Sequence, residues 1–160
     1  MDDLEIRPPL VTEADATVAL VLRAFDDFIA PDYSEEGIAT FHAVITADSL
    51  VEAIHDGDIV LVGLVDCVLT GVVRVRDETH ISWLYVDRQY QSRGIGRKLV
   101  RSAVAQIGAR HPEAATITLH SSPFAVPIYQ RMGFAVAGSE TTKDGIRMTP
   151  MFATINALAR

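Results

Sequence analysis

Gly94 and Gly96 stand one residue apart, after an apolar run and at the mouth of an amphipathic stretch. With Gln91, Ser92, Arg93, Ile95 and Arg97 they make a turn whose backbone a ligand can approach without meeting a Cβ at either glycine. If the turn starts a helix, its first N–H groups lack intrahelical partners and carry a partial positive charge, which suits a diphosphate. Arg88, Arg93, Arg97, Lys98 and Arg101 crowd the same short segment. The dinucleotide fingerprint does not fit, because its third glycine position is Leu99 and the loop after the strand is too long. The nucleotide-triphosphate loop fails because no Gly-x-x-x-x-Gly-Lys-Ser/Thr run occurs here. Taken alone, the glycine pair also suits a plain helix start ringed by solvated arginines. The single cysteine, Cys67, rules out an intrachain disulfide framework and a cysteine-based zinc knuckle. His42, His55 and His111 lack metal-ligand spacing, and no metal is expected.

The elements that must hold this turn read as β, helices, βββ, α, β, α, ββ. Residues 4–7 form a short strand closed by Pro8 and Pro9, which cannot donate ladder hydrogen bonds. Thr12 is placed to cap a helix running to Ala30 and ended by Pro31, a second helix starts at Ser34, and a third covers residues 49–55. Residues 58–65 and 68–76 are Val- and Leu-rich strands joined by the hairpin turn Asp66-Cys67. Residues 79–86 form a fourth strand, with Trp83 expected in the core and Glu78 and Ser82 expected on the face of His80 by alternation. A helix over 96–110, a fifth strand over 115–120 and a helix over 124–132 follow. Strands over 134–138 and 146–152 close the chain around the turn Lys143-Asp144-Gly145. The fourth strand, helix and fifth strand make a parallel crossover, so the fold class is a mixed α/β layer domain.

The chain has 160 residues, 49% of them apolar and 22% charged, which suits one folded domain over residues 1–160 that needs no metal or disulfide staple. No apolar run approaches the ~18 residues of a membrane span, and the acidic start lacks the order of a signal peptide. A cytoplasmic protein without membrane partners is the expectation. The net charge of −7 argues against nucleic-acid binding. Residues 1–80 hold 17 acidic and four basic side chains, whereas residues 81–160 hold four acidic and ten basic. One end of a cleft is thus suited to an anion and the other to a cation, unless these are simply two solvated faces.

Gln91-Ser92-Arg93-Gly94-Ile95-Gly96 after the fourth strand resembles the Q/R-x-x-G-x-G/A signature of the GNAT superfamily of N-acetyltransferases. Downstream, Ser122, Ala125, Tyr129, Gly133 and Phe134 are spaced like that family's N-x-x-A-x-x-x-Y-x-x-x-G-F run. The order of elements is similar as well, so the resemblance spans nearly the whole chain. It is strongest toward small bacterial members with His-Ile in strand four and a G-I-R-x-T-P-M final strand, here His80-Ile81 and residues 145–151.

The resemblance implies a central sheet splayed between strands four and five, with helices on both faces. It implies acetyl-CoA as co-substrate, its pantetheine paired with Leu84, Tyr85 and Val86 and its pyrophosphate on the amides of residues 91–97. Transfer to a primary amine would be direct, and a strand-four N–H near Tyr85 would meet the oxyanion. Tyr129 takes the position of the general acid, and a phenol stays protonated at neutral pH. Ser122 stands where the family often has Asn and is expected to bond the pantetheine. His80 takes the place of a strand-four glutamate as the general base, with His120 the runner-up and a structural or substrate-binding role the bland alternative.

The acceptor is expected to be a small-molecule or peptide amine, drawn to the family's acceptor loop, here residues 30–37 with Asp32, Glu35 and Glu36, close to Asp26 and Asp27. Arg147 is placed either to bind an acceptor carboxylate or to form a strand-face ion pair. A homodimer through the final strands is a further expectation of the resemblance. A coenzyme A-binding sensor without turnover is the alternative reading.

Overall fold

The computed structural model describes residues 3–159, so the acidic Met1-Asp2 start lies outside the described residues. In chain order the elements are β1 (Leu4–Arg7), α1 (Ala14–Phe28), α2 (Glu35–Val44), α3 (Ala47–His55), β2 (Ile59–Val65), β3 (Val68–Arg76) and β4 (His80–Val86). There follow α4 (Ile95–Arg110), β5 (Thr116–Ser121), α5 (Val126–Met132), β6 (Ala135–Val136), β7 (Thr141–Lys143), β8 (Ile146–Thr154) and α6 (Ile155–Leu158). The sheet order is β1-β2-β3-β4-β5-β8-β6, with β7 also on β8. Every pairing is antiparallel except β4 with β5.

That parallel pairing covers only His80↔Thr118 and Ile81↔Leu119. Beyond it the strands part, so Leu84–Val86 keep β3 on one edge and an open gap on the other. Each sheet face has its own core. Ile81, Leu99, Val100, Ile107, Ile117 and Leu119 pack together on the α4 face, and Val21, Leu50, Val62, Val72 and Trp83 on the face covered by α1 and α3. In α4 the buried Ile95, Leu99, Val100, Ala103, Val104 and Ile107 recur at helical spacing, which fixes the helix against the sheet. Trp83 is in the core as expected, with the Arg74 guanidinium 5.0 Å from its ring centre.

Several boundaries differ from the sequence reading. Thr12 does not cap α1: residues 11–13 form a 3₁₀ turn, and the Leu10 N–H instead donates to Glu13 Oε1 at 2.7 Å. Glu13 is held by both Arg7 nitrogens at 2.8 and 3.0 Å, and that ion pair and the Leu10 N–H draw its pKa down to about 2. The helix ends at Phe28, and Pro31 falls in a separate 3₁₀ turn. The Lys143-Asp144-Gly145 turn joins β8 to the three-residue β7, which the sequence reading left out, while β6 pairs farther along β8. Asp66 and Cys67 form the expected hairpin turn with φ of 51° and 67°.

Candidate active site

The β4 strand carries a bulge. Val75 faces Ile81 and Arg74 faces Trp83, so Ser82 is the extra residue and the side-chain phase inverts across it. Ile81 therefore shares the α4 face with Leu84 and Val86, whereas Trp83 and Tyr85 turn to the α1 face. The expectation that His80 shares a face with Glu78 by strand alternation is corrected by the hairpin turn at Asp77 and Glu78, where φ is 50° and 69°. His80 lies instead on the face of Trp83 and Tyr85.

The Asp87 N–H donates to Thr70 O at 2.8 Å, which sets the hydrogen-bonding phase of β4. By alternation Tyr85 bonds back to β3, and Leu84 and Val86 turn their amides toward the gap. Val86 O is reached there by Gln91 Nε2 at 2.8 Å. Leu84 and Val86 can thus pair with an extended ligand as a sheet edge would.

Gly94, at φ 78°, is the N-cap of α4, and no side chain caps that end. The first-turn amides of α4 are left without side-chain acceptors. A Cβ added at Gly94 would meet nothing within 4 Å, and one at Gly96 would come within 3.5 Å of the Met132 methyl. The helix end is therefore open, with a narrow approach beside Gly96. A diphosphate with an extended arm fits this arrangement of bare amides followed by a free strand edge.

A cavity of about 410 Å³ joins these parts. Of the residues singled out from the sequence, Leu84, Tyr85, Val86, Gln91, Ser92, Gly94, Ile95, Gly96, Arg97 and Tyr129 line it. Arg93 does not; its guanidinium lies 5.1 Å from the Tyr90 ring centre. Ser122 does not either: its Oγ accepts the Ala125 N–H at 3.3 Å and caps the turn leading into α5. Tyr90, Arg131, Met132, Phe28 and Phe124 complete parts of the wall that the motifs did not mark. Their signal in the sequence was weak, because an aromatic at a helix end reads as ordinary core.

Tyr129 is 9% exposed, and its ring packs edge-on against Phe134 at 5.6 Å. Burial pushes its pKa above that of a free phenol. Tyr85 is raised in the same way, chiefly by burial and further by the neighbouring Tyr129 and Tyr33 hydroxyls. Both residues line the cavity, and both phenols keep their protons at neutral pH.

His80 does not line the cavity; it sits where β4 and β5 are still paired, at the closed end of the gap. Its Nδ1 is 2.8 Å from Thr118 Oγ1, and its ring meets that of His120 at 4.9 Å between centres. Burial, then the charges of Arg76 and His120, lower its pKa to about 4. The imidazole is neutral at neutral pH, and the structure places the runner-up His120 against it.

None of the expected acceptor-side acids lines the cavity. Asp26 is 2.8 Å from His42 Nε2, and Asp32 lies 3.9 Å from Arg147. Arg147 is also bonded to both oxygens of Glu140, so the strand-face ion pair is the reading that holds. Among the described residues, Glu78, His111 and Glu113 bring potential ligand atoms within 4.8 Å of one another, but on the exterior, away from the cavity. No single helix among the described residues is long and apolar enough to cross a membrane.

A mixed sheet splayed at its one parallel pairing, with a bare glycine-led helix end beside the gap, defines an acyltransferase class that uses a diphosphate-bearing thioester. The chain belongs to the GNAT acetyltransferase family, whose acetyltransferase (GNAT) domain model matches residues 29–155. Its fold is similar to that of a GCN5-related N-acetyltransferase from Rhodopseudomonas palustris, with 25% identity, 96% of this chain and 97% of that one covered, and a TM-score of 0.82. It is similar also to the PaiA N-acetyltransferase of Thermoplasma acidophilum in complex with coenzyme A, at 18% identity, with 95% and 99% covered and a TM-score of 0.79. The Salmonella typhimurium protein yncA, with its cofactor acetyl-CoA, gives 17% identity, 96% and 94% coverage and a TM-score of 0.69.

Proposed function

We propose that this single domain of residues 1–160 transfers an acetyl group from acetyl-CoA to the primary amine of a small molecule or peptide, in the cytoplasm. The observation that carries the reading is the one cavity that joins the uncapped α4 end, the free edge of β4 and the buried hydroxyl of Tyr129. Acetyl-CoA, when bound, supplies a thioester carbonyl carbon open to attack by an amine. The amides of residues 91–97, in the turn before α4 and its first turn, hold its diphosphate, with Arg97 and Arg131 adding charge, and Leu84 and Val86 hold its arm.

Each remaining task falls to a named group. The Leu84 N–H faces the gap and donates to negative charge developing on the carbonyl oxygen. Tyr129 holds its proton until a leaving thiolate takes it at Oη. His80, neutral and bonded through Nδ1 to Thr118 but outside the cavity wall, is the base assigned to receive the ammonium proton at Nε2 through water, against a pKa that burial lowers. Asp27, Glu35 and Glu36 are exposed and draw a cationic acceptor by long-range attraction.

Calorimetry with coenzyme A and acetyl-CoA tests the reading, followed by free-thiol release across polyamines, amino acids, aminoglycosides and peptide N-termini. Binding of both coenzyme forms and turnover with one acceptor class is the expected result. Absence of coenzyme binding would overturn the reading, and binding with no turnover across the panel would make the chain a coenzyme sensor.

A further inference from the structure

The cavity wall is mixed in chemistry: the α4 turn, Arg97 and Arg131 line it together with the apolar Ala24 and Phe28 of α1, Ile29 just beyond that helix, Phe124 and Ile128. Because α1 and α4 pack on opposite faces of the sheet, a cavity lined by both runs through the gap between β4 and β5. Phe28 and Phe124 meet in this wall. Their rings stack with centres 5.4 Å apart and planes 16° apart. They come from opposite banks of the gap, Phe28 from the helix over β3 and β4 and Phe124 from the chain leaving β5.

We propose that the Phe28–Phe124 stack is an acyl gauge: it is the wall against which the acyl group of a bound thioester rests, and it admits a short acyl group and rejects longer chains. The inference rests on the coenzyme reading above. Covalent order along the coenzyme runs from diphosphate through pantetheine and sulfur to acyl group. With the diphosphate at Gly94 and the sulfur beside Tyr129, the acyl group is the part that faces the aromatic wall. That wall is apolar, so a longer chain is not refused on chemical grounds. An open apolar pocket would add roughly fourfold affinity for each methylene buried. The limit is one of room, set by two rings that must part before a longer chain enters. Phe124 is 43% exposed, so shortening it opens the wall with little cost to the core.

The test is calorimetry of the whole chain with coenzyme A and its acetyl, propionyl, butyryl and hexanoyl thioesters, on wild type, Phe124→Ala and Phe124→Leu. For wild type, acetyl and propionyl forms should bind within about threefold of each other, and hexanoyl at least tenfold more weakly. In Phe124→Ala the ratio of hexanoyl to acetyl affinity should rise at least tenfold, with Phe124→Leu between; the leucine variant decides if the alanine variant does not fold. Wild type that binds hexanoyl-CoA as well as acetyl-CoA, or variants that keep the wild-type length profile, would remove the gauge alone. Failure to bind any form, coenzyme A included, would remove the coenzyme reading and the gauge with it.

Discussion

Tyr129 and His80 owe opposite proton states to one cause. Burial disfavours whichever form is charged, so it raises the phenol and lowers the imidazole. Tyr129 thus stays protonated and His80 uncharged at neutral pH; both shifts run away from pH 7, so each group exchanges a proton less readily than its free counterpart. Tyr129→Phe should lower kcat by about a hundredfold or more and leave coenzyme Kd within about threefold, checked by thiol release and calorimetry. For His80, the ring resonance followed by NMR should titrate with a midpoint near 4. An unfolded chain protonates this histidine near 6.5, so between about 6.5 and 4 the unfolded state binds the extra proton and stability falls as pH drops. His80→Gln should flatten that part of the stability profile, measured by urea unfolding at pH 7 and pH 5. The motif spacing made Tyr129 legible from sequence alone. The partners of His80 were not, because Thr118 and His120 reach it only through the short parallel pairing.

At the scale of elements, the glycine turn and the parallel crossover were readable because each leaves a local mark: punctuating glycines, a polar loop and a change from period two to helical spacing, whereas the splay of the two strands followed only from the family resemblance. The bulge at Ser82 leaves no such mark. Its cause lies in the register between β3 and β4, and it reassigns every side chain on one side of it. Short β7 and α6 were missed for a related reason, since three or four residues carry too little periodicity to be read. Gly94 adopts φ 78°, a conformation that costs an alanine about 1 kcal/mol. Gly94→Ala should lower stability by about that amount, read by urea denaturation, and weaken coenzyme binding in calorimetry. A methyl at Gly37, on α2, would run into the Gly145 carbonyl oxygen of the β7–β8 turn. Gly37→Ala should cost about 1–3 kcal/mol and expose that turn to limited proteolysis.

Across the whole molecule, charge is sorted along the fold. Arg97 and Arg131 line the cavity in a chain of net charge −7. Coenzyme affinity should therefore fall several-fold as salt rises from about 0.05 to 0.5 M, because exposed charges are screened within a few ångströms at the upper limit. Calorimetry across that range checks it. The glycine-to-glycine contact of α2 with the β7–β8 turn has a consequence of its own. Two segments more than a hundred residues apart in the chain meet there backbone to backbone, with Arg147 tying Asp32 to Glu140 beside them. Side chains elsewhere along this seam can change without moving the two backbones, whereas any added carbon at either glycine would force them apart. The spacing of the seam and its surface chemistry are thus set by separate residues.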